Sequence, residues 1–283
     1  MMRWITATVV GAVLSLAMPG SNANAFDWKR PEFVSLAVPT EPPTLSNNCK
    51  SLRVAGDQFS RPLRGLRRAI RAGRAPKVLA IGSSSTVGVG ASRPTNAYVA
   101  KLEVGLEAVF TGNDFEVIGK GMSGEVAEGQ SARMQDTVAE VVPDLVLWQV
   151  GTNDAIRHVD IDTFKNCLRR SLAWLADHRY DVVLIDPQYG EELTKDAYYE
   201  RVVAAVAEVA REMRVLLVDR FEAMKELSKA RGDSFYLAQD KLHLNDMGHH
   251  CMAEQIARAI VAGVLQADAE VTAAAVAPES PPR

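Results

Sequence analysis

From Lys77 onward the chain alternates short apolar runs with longer segments of helical periodicity, and this alternation restricts the fold more than any other feature. The runs are Lys77 to Ile81, Phe115 to Ile118, Leu145 to Val150, Asp181 to Ile185 and Val215 to Val218. Helices are expected over Tyr98 to Phe110, Val126 to Val141, Ile161 to His178 and Asp196 to Met213, with a last one from Asp246 to about Leu265. Apolar runs joined by helices read as parallel strands buried on both faces, with right-handed crossovers. The expectation is therefore an α/β domain, residues 76–267, with five strands between two helical layers.

The segments before and after carry other signals. Arg3, an apolar stretch from Ile5 to Met18 and Ala23-Asn24-Ala25 read as a secretory signal over residues 1–25. The apolar stretch is shorter than the roughly 20 residues a membrane span needs. The mature protein is expected to be exported, periplasmic or secreted. Losing Arg3 takes the formal net charge from -3 to -4, a mild acidity that argues against nucleic-acid binding by the whole protein. Residues 26–75 are expected to form a proline-rich extended arm followed by a basic helix. In that helix Arg64, Arg67, Arg68 and Arg71 recur at helical spacing, with Leu63, Leu66 and Ile70 between them. Such a run is a solvated face or, through Arg64, Arg67 and Arg68, a contact for anionic glycan or lipid head groups. Residues 268–283, rich in Ala and Pro, are expected to be a disordered tail. Cys49, Cys167 and Cys251 allow one disulfide in an exported protein, with three pairings open, and do not make a metal site.

In such a fold ligands meet the carboxyl ends of the strands, so the loops there are where the chemistry is expected. The first, within VLAIGSSSTVGVG, permits a phosphate cradle, a nucleophile turn or a plain connection. A Walker-type loop fails because no lysine follows the glycines, and a dinucleotide fingerprint fails because Arg93 stands where its third glycine would be. The next loops are GKGMSGE, Gly119 to Glu125, and VGTNDA with Asn153 and Asp154; QDKLHLNDMGHH precedes the last helix. A serine hydroxyl needs a histidine to take its proton, and the histidine needs a carboxylate to hold its tautomer. Asp240, three residues before His243, can supply that carboxylate from one tight turn. The backbone N–H groups of Ser84 and Gly124 and the Asn153 amide are candidate oxyanion donors. Gly124 suits this role because no Cβ blocks close approach. His249 and His250 are rivals to His243, but they fall in the last helix, where a solvent face is the ordinary explanation, as a helix cap is for Asp154. Trp148 reads as core. Gln188 and Tyr189, leaving the fourth strand, are candidates for the substrate pocket or for a turn with a packed ring.

Taken together these stretches resemble the SGNH (GDSL-type) hydrolases, a family of esterases, lipases, thioesterases and carbohydrate deacetylases. IGSSSTVG is similar to the family's first block, GMSGE to the second, VGTND to the third and DKLHLNDMG to the fifth. The resemblance implies a flavodoxin-like three-layer α/β/α sandwich with a five-stranded parallel sheet. It also implies Ser84 as nucleophile, His243 as base and Asp240 as its partner, an oxyanion hole from Ser84, Gly124 and Asn153, and no metal or cofactor. One departure stands out: Ser83 occupies the place where the family usually has aspartate. The implied activity is hydrolysis of carboxylic esters through an acyl-enzyme. Small acyl groups on saccharides are favoured as substrate, with lysophospholipase, thioesterase or acyltransferase chemistry as alternatives. A non-catalytic envelope protein that binds polysaccharide is the reading from another class.

Overall fold

The structure is a computed structural model, which describes residues 38–50 and 60–276. The expected signal segment and much of the arm lie outside the described residues. The helices and strands follow in chain order: α1 (Arg64–Arg71), β1 (Lys77–Gly82), α2 (Ser84–Val87), α3 (Tyr98–Val109), β2 (Glu116–Gly121), α4 (Ala127–Val141) and β3 (Leu145–Gln149). They continue with α5 (Thr152–Ile156), α6 (Ile161–Asp177), β4 (Asp181–Ile185), α7 (Ala197–Met213), β5 (Leu216–Val218), α8 (Arg220–Arg231) and α9 (Asp246–Val276).

The five strands pair in parallel in the order β2-β1-β3-β4-β5. This is the flavodoxin-like order, whose switch point lies between β1 and β3. Side chains alternate across the sheet and divide the core in two. Val78, Ala80, Leu145, Leu147, Val183 and Ile185 face α1, α3, α8 and α9. Leu79, Ile81, Val146, Trp148 and Leu184 face α4, α6 and α7. Trp148 is fully buried, as expected of core, and its indole N–H donates to Gln130 Oε1 at 2.6 Å.

One helix is new and one expectation changes. The segment 220–231, not among the expected helices, forms α8, anchored by the fully buried Phe221 and Arg220. The final helix continues through Val276, so residues 268–276 are helical and not a disordered tail. Its last turns carry Asp268 and Glu270 to the basic helix, where Arg67 and Arg71 pair with Asp268 and Arg64 with Glu270. The basic face of α1 is thus matched largely by acids of the same chain. Cys49 and Cys251 form the disulfide, tying residues 38–50 to α9, and Cys167 is a buried thiol. Among the described residues no helix is long and apolar enough to cross a membrane.

Candidate active site

The site begins where β1 ends. Gly82 leads into the one-turn helix α2, and the three serines there are not equivalent. Ser83 and Ser85 are each 2% exposed, whereas Ser84 is only partly covered. Ser83 donates from both its backbone N–H (3.0 Å) and its hydroxyl (3.2 Å) to Gln149 Oε1. Gln149 at the end of β3 thereby fixes the turn from below. Burial leaves Ser84 as the serine of the three that a substrate can reach.

Two further loops close on this turn. The Met122 N–H donates to Gly82 O at 3.0 Å, which sets the end of β2 beside the serine turn. The chain then makes a tight turn closed by Glu125 N–H to Met122 O at 3.1 Å, with Gly124 at φ 77°. That left-handed conformation at the third turn position is one that glycine adopts without strain. Asn153, in the first turn of α5, donates from its side-chain amide to Glu125 O at 3.0 Å. One amide hydrogen is so engaged and the second is left over. Asp154 is 2% exposed and accepts from Ala127 N–H at 3.0 Å. It caps the neighbouring helix α4, not its own. Burial pushes its carboxyl up to about 6, against the opposing Ala127 N–H. Arg157 was missed by sequence reasoning. Its guanidinium stands 3.3 Å from where a Cβ on Gly124 would lie, a cation beside a candidate oxyanion donor.

The histidine loop approaches from the other side. Asp240 Oδ2 and His243 Nδ1 lie 2.6 Å apart, and Asp240 Oδ1 accepts the backbone N–H groups of Leu242 (3.0 Å) and His243 (2.9 Å). Partial burial opposes the charge on Asp240, but the His243 ring and those N–H groups outweigh it and hold the carboxyl at about 2. Gly90 presses on this loop: a Cβ there would come within 2.2 Å of Leu244 O and 3.1 Å of His243 Cβ. The segment that follows α2, three residues past its end, and the loop that carries His243 are therefore in direct contact.

The rival histidines have other work. His249 is fully buried, not on a solvent face. Its Nδ1 accepts from Tyr98 N–H and its Nε2 donates to Val89 O, both at 3.2 Å. His250 pairs with Glu254 at 3.0 Å. Asp246 is taken up by Ser92 and Asn96. Among the described residues one group of possible metal ligands lies close together, Cys49, His250 and Glu254, and the Cys49 sulfur is already in the disulfide.

Gln188 departs from the expected pocket wall. It is 2% exposed, lying beneath the site, with its side chain bonded to Thr152, Arg220 and Leu242. Tyr189 is half-buried and meets the Phe221 ring edge-on at 5.4 Å, the packed-ring alternative. Arg220, 1% exposed under the strand ends, was also missed. A charged Asp219-Arg220 pair directly after an apolar strand was the available signal.

A family model described as "Non-GDSL lipase-like family" matches residues 51–266. An acetylxylan esterase of Geobacillus stearothermophilus is 29% identical over 216 residues, spanning 68% of this chain and 96% of its own. The crystal structure of Axe2, an acetylxylan esterase from the same organism, superposes with a TM-score of 0.57 at 27% identity, over 65% of this chain and 94% of that one. LAE5, an alpha/beta hydrolase enzyme from the metagenome of Lake Arreo, Spain, gives a TM-score of 0.57 at 26% identity, over 67% and 98%.

Proposed function

The chain belongs to the Non-GDSL lipase-like family, and on that premise we propose that it is an exported serine esterase that removes small acyl groups, acetyl foremost, from saccharides. It is a carboxylic ester hydrolase. The observation that carries the mechanistic reading is the pair of Asp240 and His243, 2.6 Å apart with the carboxylate ionised, on a loop that meets Gly90 in the segment following α2, the helix that begins with the one accessible serine of its triplet. Small-acyl specificity on a glycan is supported by the likeness to the acetylxylan esterase. Export is supported by the amino-terminal sequence and by the Cys49–Cys251 disulfide, a bond of oxidising compartments.

In this mechanism the Ser84 hydroxyl attacks the ester carbonyl while His243 Nε2 takes its proton. Asp240 holds the imidazole in the required tautomer and stabilises the imidazolium. The oxyanion is met by the Ser84 and Gly124 backbone N–H groups and the free hydrogen of the Asn153 amide. Its bond to Glu125 O pins that amide, so the donor is already oriented before substrate arrives. Collapse breaks the bond to the sugar oxygen, which takes the proton from His243 and leaves as a hydroxyl. Water, activated by the same histidine, then releases the carboxylic acid and restores Ser84.

The test is hydrolysis of 4-nitrophenyl esters from acetate to long acyl chains, and of acetylated xylooligosaccharide, by the protein and two variants. Ser84→Ala should lose turnover and fluorophosphonate labelling together. Asn153→Ala should lower kcat on the order of 10² to 10³ with KM little changed. Full turnover by Ser84→Ala would overturn the nucleophile assignment, and a preference for long acyl chains would overturn the acetyl reading.

A further inference from the structure

We propose that Gln188 is a positioning residue that ties the acid–base loop to the oxyanion-hole helix, its amide set by the buried guanidinium of Arg220. The inference rests on the Ser84–His243–Asp240 reading above and concerns how that set is held in place.

The side chain lies at a junction of three elements. Its Oε1 accepts from the Thr152 hydroxyl at 2.9 Å and from Arg220 Nη2 at 3.1 Å. Its Nε2 donates to Leu242 O at 3.0 Å. Thr152 directly precedes Asn153 in α5, and Leu242 directly precedes His243. One amide thus joins the residue before the oxyanion donor to the residue before the base.

The orientation of a buried amide is often ambiguous, because its oxygen and nitrogen are alike in shape. Here the partners settle it. A guanidinium only donates. A flipped amide would set N–H against N–H at Arg220 and oxygen against oxygen at Leu242. Arg220 is itself fixed, with Nε donating to Asp186 O at 3.0 Å and Nη1 against the Met252 sulfur at 3.5 Å. The buried cation therefore keeps the Gln188 donor pointed at the loop.

The loop needs such a tie. Lys241 lies at φ 57°, a left-handed conformation that is strained for a residue with a side chain. Leu242 is gripped on both sides, its N–H by Asp240 Oδ1 and its carbonyl by Gln188. Without the second grip the loop can relax toward an unstrained conformation, carrying the His243 ring away from Ser84. Misplacement by about 1 Å at a reacting group can cost about a hundredfold in rate.

The experiment uses two variants of the whole protein with 4-nitrophenyl acetate as probe. Gln188→Met keeps length but loses the tie, and should lower kcat about 10- to 100-fold with KM changed less than twofold. Gln188→Glu keeps an acceptor for Arg220 and Thr152, which protects the fold should the methionine variant not fold. In its ionised form it meets Leu242 O with an oxygen and should lose kcat similarly. In both, the far-downfield NMR resonance of the proton between His243 and Asp240 should shift or broaden. A folded variant that keeps kcat within twofold and an unchanged resonance overturns the proposal. So does a loss confined to KM, which would make Gln188 a substrate contact. Failure of the triad reading itself is distinguishable, because it shows as activity retained in Ser84→Ala.

Discussion

A buried imidazole that no reaction uses still affects the protein's response to pH. His249 sits between Tyr98 N–H and Val89 O, and burial pushes its pKa from 6.5 down to about 4. The unfolded chain thus binds a proton that the native chain refuses between those values. Stability from this residue is fully present above about 6.5 and is lost as pH falls toward 4. The buried carboxyl of Asp154, pushed up to about 6, acts oppositely over part of the same range, so the histidine must be isolated by substitution. The stability gap between the protein and His249→Gln should widen by roughly 3 kcal/mol from pH 4 to pH 6.5, measured by urea unfolding at a series of pH values. A gap independent of pH would show that His249 is not held neutral. The sequence placed this residue correctly in a helix. It put the residue on a solvent face, wrongly, because which face is buried depends on α3 lying against α9.

Between elements, the proposed oxyanion-hole side of the site depends on one buried carboxylate. Asp154 accepts the Ala127 N–H at the start of α4, immediately after the Gly124 turn, while its neighbour Asn153 holds Glu125 O. Helix α5 thus grips the second loop by consecutive side chains. Asp154→Ala orphans a buried N–H and should destabilise the protein by about 1–3 kcal/mol, read from the denaturation midpoint. Asp154→Asn retains an acceptor and should lose much less; equal losses would remove the capping argument. Strands and long helices were legible because continuous apolar runs and helical periodicity are local signals. Segment 220–231 was not, since its burial comes from Phe221 and Arg220 going beneath the strand ends. The end of α9 was misread for a similar reason. Alanine-rich sequence forms helix readily when held, and here Asp268 and Glu270 hold it to α1.

For the whole molecule, the Cys49–Cys251 bond joins residues 202 apart and fastens the amino-terminal segment to the last helix. Closing a loop of that length removes entropy from the unfolded chain, so reduction should lower the unfolding free energy by about 2–4 kcal/mol. The urea midpoint with and without reductant measures this, and Cys49→Ser with Cys251→Ser should reproduce it; coincident curves would show that the bond adds nothing to stability. The sequence by itself determined the parallel sheet, its two helical layers and the loops at the strand ends, because apolar periodicity and the loop blocks are properties of neighbouring residues. Only the tertiary structure decided which serine is open, which cysteines pair, and that Gln188 and His249 lie beneath the site. Those are distances between residues far apart in the chain, and they exist only once the sheet has brought the strand ends together.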